Sequence, residues 1–217
     1  NDLNQWSIKK LKHQRTIKLN NFPVFIDLNC NTELKGKKNK RIVCLAALRT
    51  EKDHINLLKA FKKIVEIKKD WSLHLIGKDY NNEYSIEIKN YINKYNLQNN
   101  VFIYGMRSDI KNILNQSTIG VLSSITEGLP ISLLEYGLAK LPVLTTDVGE
   151  CKKVIGHKKA VVCTNNSEAF AELLLEIINS DKLKDEILNS LHENVLKNYS
   201  SKNFIGNLLK FYQNNAY

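Results

Sequence analysis

Two carboxylates, Glu127 and Glu135, stand eight residues apart around the segment Gly128-Leu129-Pro130-Ile131-Ser132, and two cations, Arg49 and Lys52, stand three apart in an earlier loop. A helix that starts after Pro130 exposes free backbone N–H groups and a partial positive charge at its first turn, which suits a phosphate. Arg and Lys add full charges, the first as a planar fork and the second as a point charge. Glu127 falls in the loop ahead of that helix and Glu135 about one turn inside it, so a 3.6-residue period can bring both to one crevice. The chemistry implied is a diphosphate bracketed by hydroxyl-bearing groups, a ribose on one side and a sugar on the other. Taken alone, a glutamate pair or a charged loop is ordinarily solvated surface.

Several other chemistries are excluded by what the chain lacks. It has no Walker lysine loop and no G-x-G-x-x-G, so neither a P-loop nor the usual dinucleotide fingerprint is expected. It has no D-x-D triplet, and its four cysteines (Cys30, Cys44, Cys151, Cys163) show no metal-ligand spacing. Cys44 and Cys163 sit in apolar runs and are expected in the core, which fits a reducing compartment. His74 reads as a satisfied core histidine, and His54 as the start of a helix. Leu133, Leu134 and Leu138 read as core.

The elements that must position these residues begin at residue 41. Short apolar runs predict strands over 42–48, 72–76, 101–104, 119–122, 143–145 and, more weakly, 160–163. Helical periodicity predicts helices over 54–69, 84–95, 109–115 and 131–140, with Ile55, Leu58, Phe61, Ile64, Val65 and Ile67 forming the inner face of the first. The stretch 167–215 is helical in pattern, broken near 198–201. Strands alternating with helices imply βα units in a parallel sheet: an α/β, Rossmann-like doubly wound fold with C-terminal helices. In such a sheet ligands bind beyond the carboxyl ends of the strands, where Arg49, Lys52, Gly77, the loop Gly105-Met106-Arg107 and residues 123–130 are expected.

The run EGLPISLLEYGLAKLPVLTTDVGE over 127–150 resembles the E-x7-E signature of the retaining, GT-B-fold glycosyltransferases of family four, also called group 1. LAALRTEKDHINLLKAF over 45–61 is similar to that family's first strand and diphosphate-binding loop, and LIG at 75–77 and VFIYG at 101–105 match in place and order. The resemblance covers about residues 41–155.

It implies the donor-binding lobe of an enzyme that transfers a sugar from a UDP- or GDP-type nucleoside-diphosphate donor, with retention and without metal or cofactor. Glu127 would contact donor sugar hydroxyls and Glu135 the nucleotide ribose. The backbone of Gly128–Ser132 would bind phosphate or sugar, and Arg49 and Lys52 would neutralise the leaving diphosphate. Gly77 and Gly105–Arg107 would border the nucleotide. The acceptor would be held by an absent N-terminal lobe. Alternatives are a non-catalytic nucleotide-sugar-binding module and a GT-B-like sugar-nucleotide epimerase. The sequence departs from the family pattern at Ala46-Ala47, where Gly-Arg is common and where Arg49, two residues later, takes over the arginine role. It also departs at Asp79, Lys140 and Glu150.

Charge is uneven. The chain carries 32 Lys/Arg against 22 Asp/Glu over 217 residues, and residues 1–40 hold nine of the cations and only Asp2, Asp27 and Glu33 of the acids. This stretch does not join the βα rhythm and reads as a basic linker or the end of a missing N-terminal domain, ahead of a nucleotide-sugar domain over 41–180 and C-terminal helices over 181–217. A chain opening on Asn1 is expected to be a processed or excised piece of something longer. The basic residues within 9–15 fit either a solvated helix face or peripheral contact with a membrane surface or lipid-linked acceptor. No nucleic-acid pattern is present, and a cytoplasmic location, with peripheral contact at the inner membrane face as the variant, is expected.

Overall fold

The computed structural model describes residues 9–10, 17, 19–25 and 31–215. Residues 11–16, Cys30 and part of the apolar stretch 22–28 lie outside them.

Six parallel strands form one sheet: β1 (Arg41–Leu45), β2 (Ser72–Ile76), β3 (Val101–Gly105), β4 (Ile119–Leu122), β5 (Val143–Thr146) and β6 (Val161–Val162), in the order β3-β2-β1-β4-β5-β6. Strands β1, β2, β4 and β5 are buried along their whole length. Helices cover both faces of a parallel sheet, which is why these strands read as unbroken apolar runs. The strand order reverses direction between β1 and β4, and the crevice opened there is where an α/β sheet binds ligands.

The flanking helices are α1 (His54–Ile67), α2 (Glu83–Lys94), α3 (Ile110–Asn115), α4 (Ile131–Leu138), α5 (Cys151–Ile155), α6 (Ser167–Asn179), α7 (Asp181–Asn198) and α8 (Ser201–Asn215). Helix α1 buries Leu57, Leu58, Phe61 and Ile64, and it packs on α6. Helix α7 buries Leu183, Ile187, Leu191 and Val195 and joins the same core through α4 and α5. Gly137 of α4 lies so close to α7 that a Cβ there would meet Val195 at 2.6 Å. Residues 31–40 form no strand or helix, yet Leu34 is buried and Thr32 hydrogen-bonds Asp109 through both its N–H and its hydroxyl.

Several expectations change. The first strand ends at Leu45, although Ala46 and Leu48 remain buried; an apolar run reports burial, and burial outlasts the ladder here. Ile67 is not on the inner face. It is 65% exposed at the last residue of α1, where solvent reaches round the helix end. The 131–140 helix stops at Leu138 because Lys140 turns left-handed at φ 54°. Strand β6 has two residues only, and Cys163, expected in the core, lies beyond it and is exposed. The 167–215 stretch is also broken at Ser180, whose hydroxyl caps α7 by accepting from Leu183 N–H. Cys44 is buried as expected. His74 is a satisfied core histidine, with Nε2 on the Ser72 hydroxyl (2.9 Å) and Nδ1 on the Tyr104 hydroxyl (3.1 Å).

Candidate functional site

At the β1/β4 switch point the loops after β1 and β4 are tied together. Beyond β1 the chain makes a 3-10 turn, Thr50–Lys52. Ile125 N–H donates to the Glu51 carbonyl (2.9 Å), and the Ser123 hydroxyl reaches the carbonyls of Lys52 and Asp53 (2.9 and 3.0 Å). Asp53, left-handed at φ 46°, then caps α1 by accepting from Asn56 N–H. This clamp brings the Lys52 ammonium to 2.6 Å from Glu127 Oε1, with the two side chains 24% and 9% exposed. The Ser124 hydroxyl donates to the same oxygen at 2.7 Å, and Thr146 of β5 fixes Ser124 through its carbonyl (2.6 Å).

Two glycines permit the close approach of these loops. A Cβ on Gly77 would sit 2.1 Å from the Ala46 carbonyl oxygen, and one on Gly149 would sit 2.2 Å from the Glu127 carbonyl oxygen. Gly149 is also left-handed at φ 54°, and the next residue, Glu150, donates its N–H to the Gly128 carbonyl (2.9 Å). Beneath them Tyr136 of α4, fully buried, accepts from Leu45 N–H at 2.8 Å and contacts the Val43 and Val121 carbonyls. The helix that carries Glu135 is thereby pinned to both strands of the switch.

The result is a cleft of about 420 Å³, within the size range of small-molecule sites. Lys52, Glu127 and Glu135 line it together with Leu129, Pro130, Ile131 and Ser132 at the start of α4. Gly77, Met106 and Arg107 line it from the β2 and β3 side. Pro130 supplies no side-chain cap, so the first N–H groups of α4 are left for another acceptor. Glu135 has no hydrogen-bond or ion-pair partner among the described residues, and burial pushes its carboxyl above the usual range.

Arg49, Gly105 and Gly128 do not line the cleft. The Arg49 guanidinium lies outside it, donating to the Tyr80 hydroxyl at 2.7 Å with Glu51 at 3.6 Å. Gly105 acts through its carbonyl, which accepts from Gly77 N–H. The buried thiols of Cys44 and Cys151 are pushed up to about 12 and about 11 by desolvation and stay protonated. Among the described residues no group of three or more His, Cys, Asp or Glu is placed to hold a metal ion, and no helix is long and apolar enough to cross a membrane.

Larger hollows, of about 580 Å³ beside His157 and Glu176 and about 650 Å³ beside Thr32 and Gln116, lie away from this end of the sheet. Their lining makes no comparable convergence of loop charges with an uncapped helix start.

Residues 27–195 match the model of the glycosyl transferases group 1 family. The chain belongs to that family. It is 34% identical over 103 residues to an uncharacterized glycosyltransferase, MJ1059, of Methanocaldococcus jannaschii, covering 48% of this chain and 25% of that one. A crystal structure of a glycosyltransferase from Rickettsia africae superposes with a TM-score of 0.70 at 25% identity, over 80% of this chain and 47% of that one. Anabaena HepE, solved in complex with UDP and glucose, gives 0.74 at 16% identity, over 82% of this chain and 49% of that one. The fold is therefore that of one Rossmann-like lobe of a GT-B glycosyltransferase, and the chain spans between about a quarter and a half of the length of the first curated relatives it matches.

Sequence reading missed Ser124, which shares Glu127 with Lys52, although a hydroxyl three residues before the glutamate was the available signal. It also missed Tyr80, the partner of Arg49. A tyrosine in the polar loop after β2 gave no hint of which cation it would meet.

Proposed function

We propose that this chain is the donor-binding half of a retaining glycosyltransferase and holds a nucleoside-diphosphate sugar in the β1/β4 cleft. The observation that carries this reading is that Lys52, Glu127, Glu135 and the uncapped start of α4 line one cleft in a group 1 chain.

The diphosphate would lie against the first N–H groups of α4, with Lys52 meeting the charge that builds on it as the glycosidic bond breaks. Stabilisation of that developing charge, from groups already in place, is the main catalytic contribution. Glu127, held by Ser124, would accept hydrogen bonds from the sugar. Glu135, free of protein partners among the described residues, would accept the ribose diol. Gly77 and the Gly105–Arg107 turn border the base, and Gly128 shapes the loop through its carbonyl. The scheme calls on no metal or organic cofactor. A nucleotide of UDP type is favoured because UDP is what HepE, a neighbour of the same fold, was solved with. An acceptor-binding lobe completes the enzyme, with a cytoplasmic setting and peripheral contact at the membrane face.

Titration calorimetry of the folded chain with UDP, GDP and their sugar conjugates tests this. At least one nucleotide diphosphate is expected to bind, and the Lys52→Met variant to bind it about 10-fold or more weakly. A folded chain that binds none of them overturns the proposal.

A further inference from the structure

The loops leaving β1 and β2 place two cations and a phenol together just outside the cleft. Leu48 N–H donates to the Lys78 carbonyl (2.9 Å), which carries the pairing of the two strands past their ends and sets Arg49 beside Lys78. The Arg49 guanidinium lies 4.9 Å from the centre of the Tyr80 ring and donates to its hydroxyl, and the Lys78 ammonium lies 4.8 Å from the same ring centre. Ala47 and Gly77, two residues and one residue before these cations, line the cleft, so the backbone that carries the cluster borders it.

The charge here is not balanced. Lys78 has no carboxylate within ion-pair distance among the described residues, and Arg49 has only Glu51, at 3.6 Å and half-exposed. The nearby Asp79 is already spent on the Lys89 ammonium (2.7 Å) and the Asn81 N–H (2.8 Å). The Tyr80 hydroxyl accepts from Arg49, and its own hydrogen has no acceptor among the described residues.

We infer that Arg49, Lys78 and Tyr80 form a second oxyanion site, separate from the donor cleft, that takes a phosphoryl group. A guanidinium fork and an ammonium, 4.9 and 4.8 Å from the centre of one tyrosine ring, together with that ring's phenolic O–H, match the several oxygens of a phosphate and its double charge. The cluster stands apart from the proposed donor contacts, because Arg49, Lys78 and Tyr80 do not line the cleft, whereas Lys52 and the start of α4 do. Such a phosphate would border the cleft in which the donor is proposed to lie. That this phosphate belongs to the molecule receiving the sugar rests on the transferase reading; the anion site itself does not. The ligand's source is either such a phosphate ester or free phosphate.

The test is an NMR titration of the isotope-labelled chain, with and without saturating UDP, by inorganic phosphate and by glycerol 3-phosphate, with glycerol as the blank. Saturable shifts at Arg49, Lys78 and Tyr80 are expected in both states. Binding should weaken about fivefold or more in Lys78→Ala and in Arg49→Ala, while in Lys78→Ala, which removes no residue of the donor scheme, UDP affinity stays within about twofold of the parent. Glycerol 3-phosphate binding at least as tightly as phosphate, with glycerol silent, identifies an ester as the source; binding of inorganic phosphate alone identifies the free ion. Phosphate that UDP displaces, or that binds the two variants unchanged, overturns the site. If UDP does not bind at all, the donor reading falls, and the two substitutions still decide this one in the nucleotide-free chain.

Discussion

Lys52 Nζ lies 2.6 Å from Glu127 Oε1, so the cation proposed to meet a diphosphate is paired with the carboxylate proposed to meet the sugar. A diphosphate entering the cleft must draw Lys52 away from Glu127 and also approach a carboxylate that is 9% exposed. Both effects oppose nucleotide binding. Glu127→Gln keeps the shape and frees the ammonium, so free UDP is expected to bind the variant several-fold more tightly than the parent. The extra affinity that a sugar adds to UDP is expected to fall. Calorimetry with UDP and UDP-sugar side by side checks both directions, and weaker binding of free UDP by the variant would show that Glu127 does not compete for Lys52.

Glu135 is in the opposite position. Its carboxylate is partly buried without a partner among the described residues, and desolvation raises its pKa. Burying an unpaired charge costs stability, so Glu135→Gln is expected to leave the melting temperature unchanged or higher. Nucleotide affinity should nevertheless drop about 5- to 30-fold, the loss of one or two charge-assisted hydrogen bonds to a diol. A variant that binds UDP normally would remove Glu135 from the ribose.

How far the sequence reached depended on how local each signal was. The strands over 72–76 and 119–122 match to the residue, because short apolar runs bounded by turn residues have one reading in a parallel sheet. The pairing of Glu127 and Glu135 in one cleft follows from helical period, and Lys52 from the reversal of strand order between β1 and β4. The direction of Arg49 was not legible. An exposed long side chain is steered by whatever ring or acid lies nearby, and Tyr80 is 31 positions away in the chain. Helix α5 was missed because five residues, Cys151–Ile155, are too few for a period to register. Cys163 misled because an apolar run at the edge of a sheet outlasts the two residues that pair.

The loop that carries Glu127 depends on Gly149. A methyl group there would meet backbone atoms at 2.2 and 2.4 Å, and the residue is left-handed at φ 54°. Backbone cannot move aside as a side chain would, so Gly149→Ala is expected to destabilise the fold by about 1–3 kcal/mol and to weaken nucleotide binding in the fraction that folds, because the Glu127–Gly128 turn is displaced. Gly206→Ala in α8 is the control. Nothing lies within 4 Å of its Cβ position, so it should be neutral or stabilise by up to about 1 kcal/mol. Equal effects from the two substitutions would mean that the close approach at Gly149 is not holding the turn.

Acid should loosen this domain first through two buried histidines. His74 and His54 are fully buried, and desolvation lowers their pKa values from 6.5 to about 3 and about 4. Neither ring nitrogen of His54 reaches a hydrogen-bond partner among the described residues. In the unfolded chain both rings take a proton near pH 6.5, whereas in the folded chain they resist it. The unfolded state therefore binds more protons between pH 6.5 and about 4, and stability falls as pH drops through that window. Each histidine contributes a loss of up to about 2 kcal/mol between pH 7 and pH 5. The raised carboxyl of Glu135 works with the opposite sign in the lower part of the window. Asp79, held down to about 2 chiefly by Lys89, withdraws its contribution only at lower pH, below the ordinary aspartate value. Urea unfolding at pH 7 and pH 5 measures the slope. His74→Gln retains a polar side chain facing Ser72 and Tyr104 but cannot titrate, so its unfolding free energy should lose about half of that pH dependence. An unchanged slope in the variant would mean that His74 is already protonated in the fold, against the burial that surrounds it.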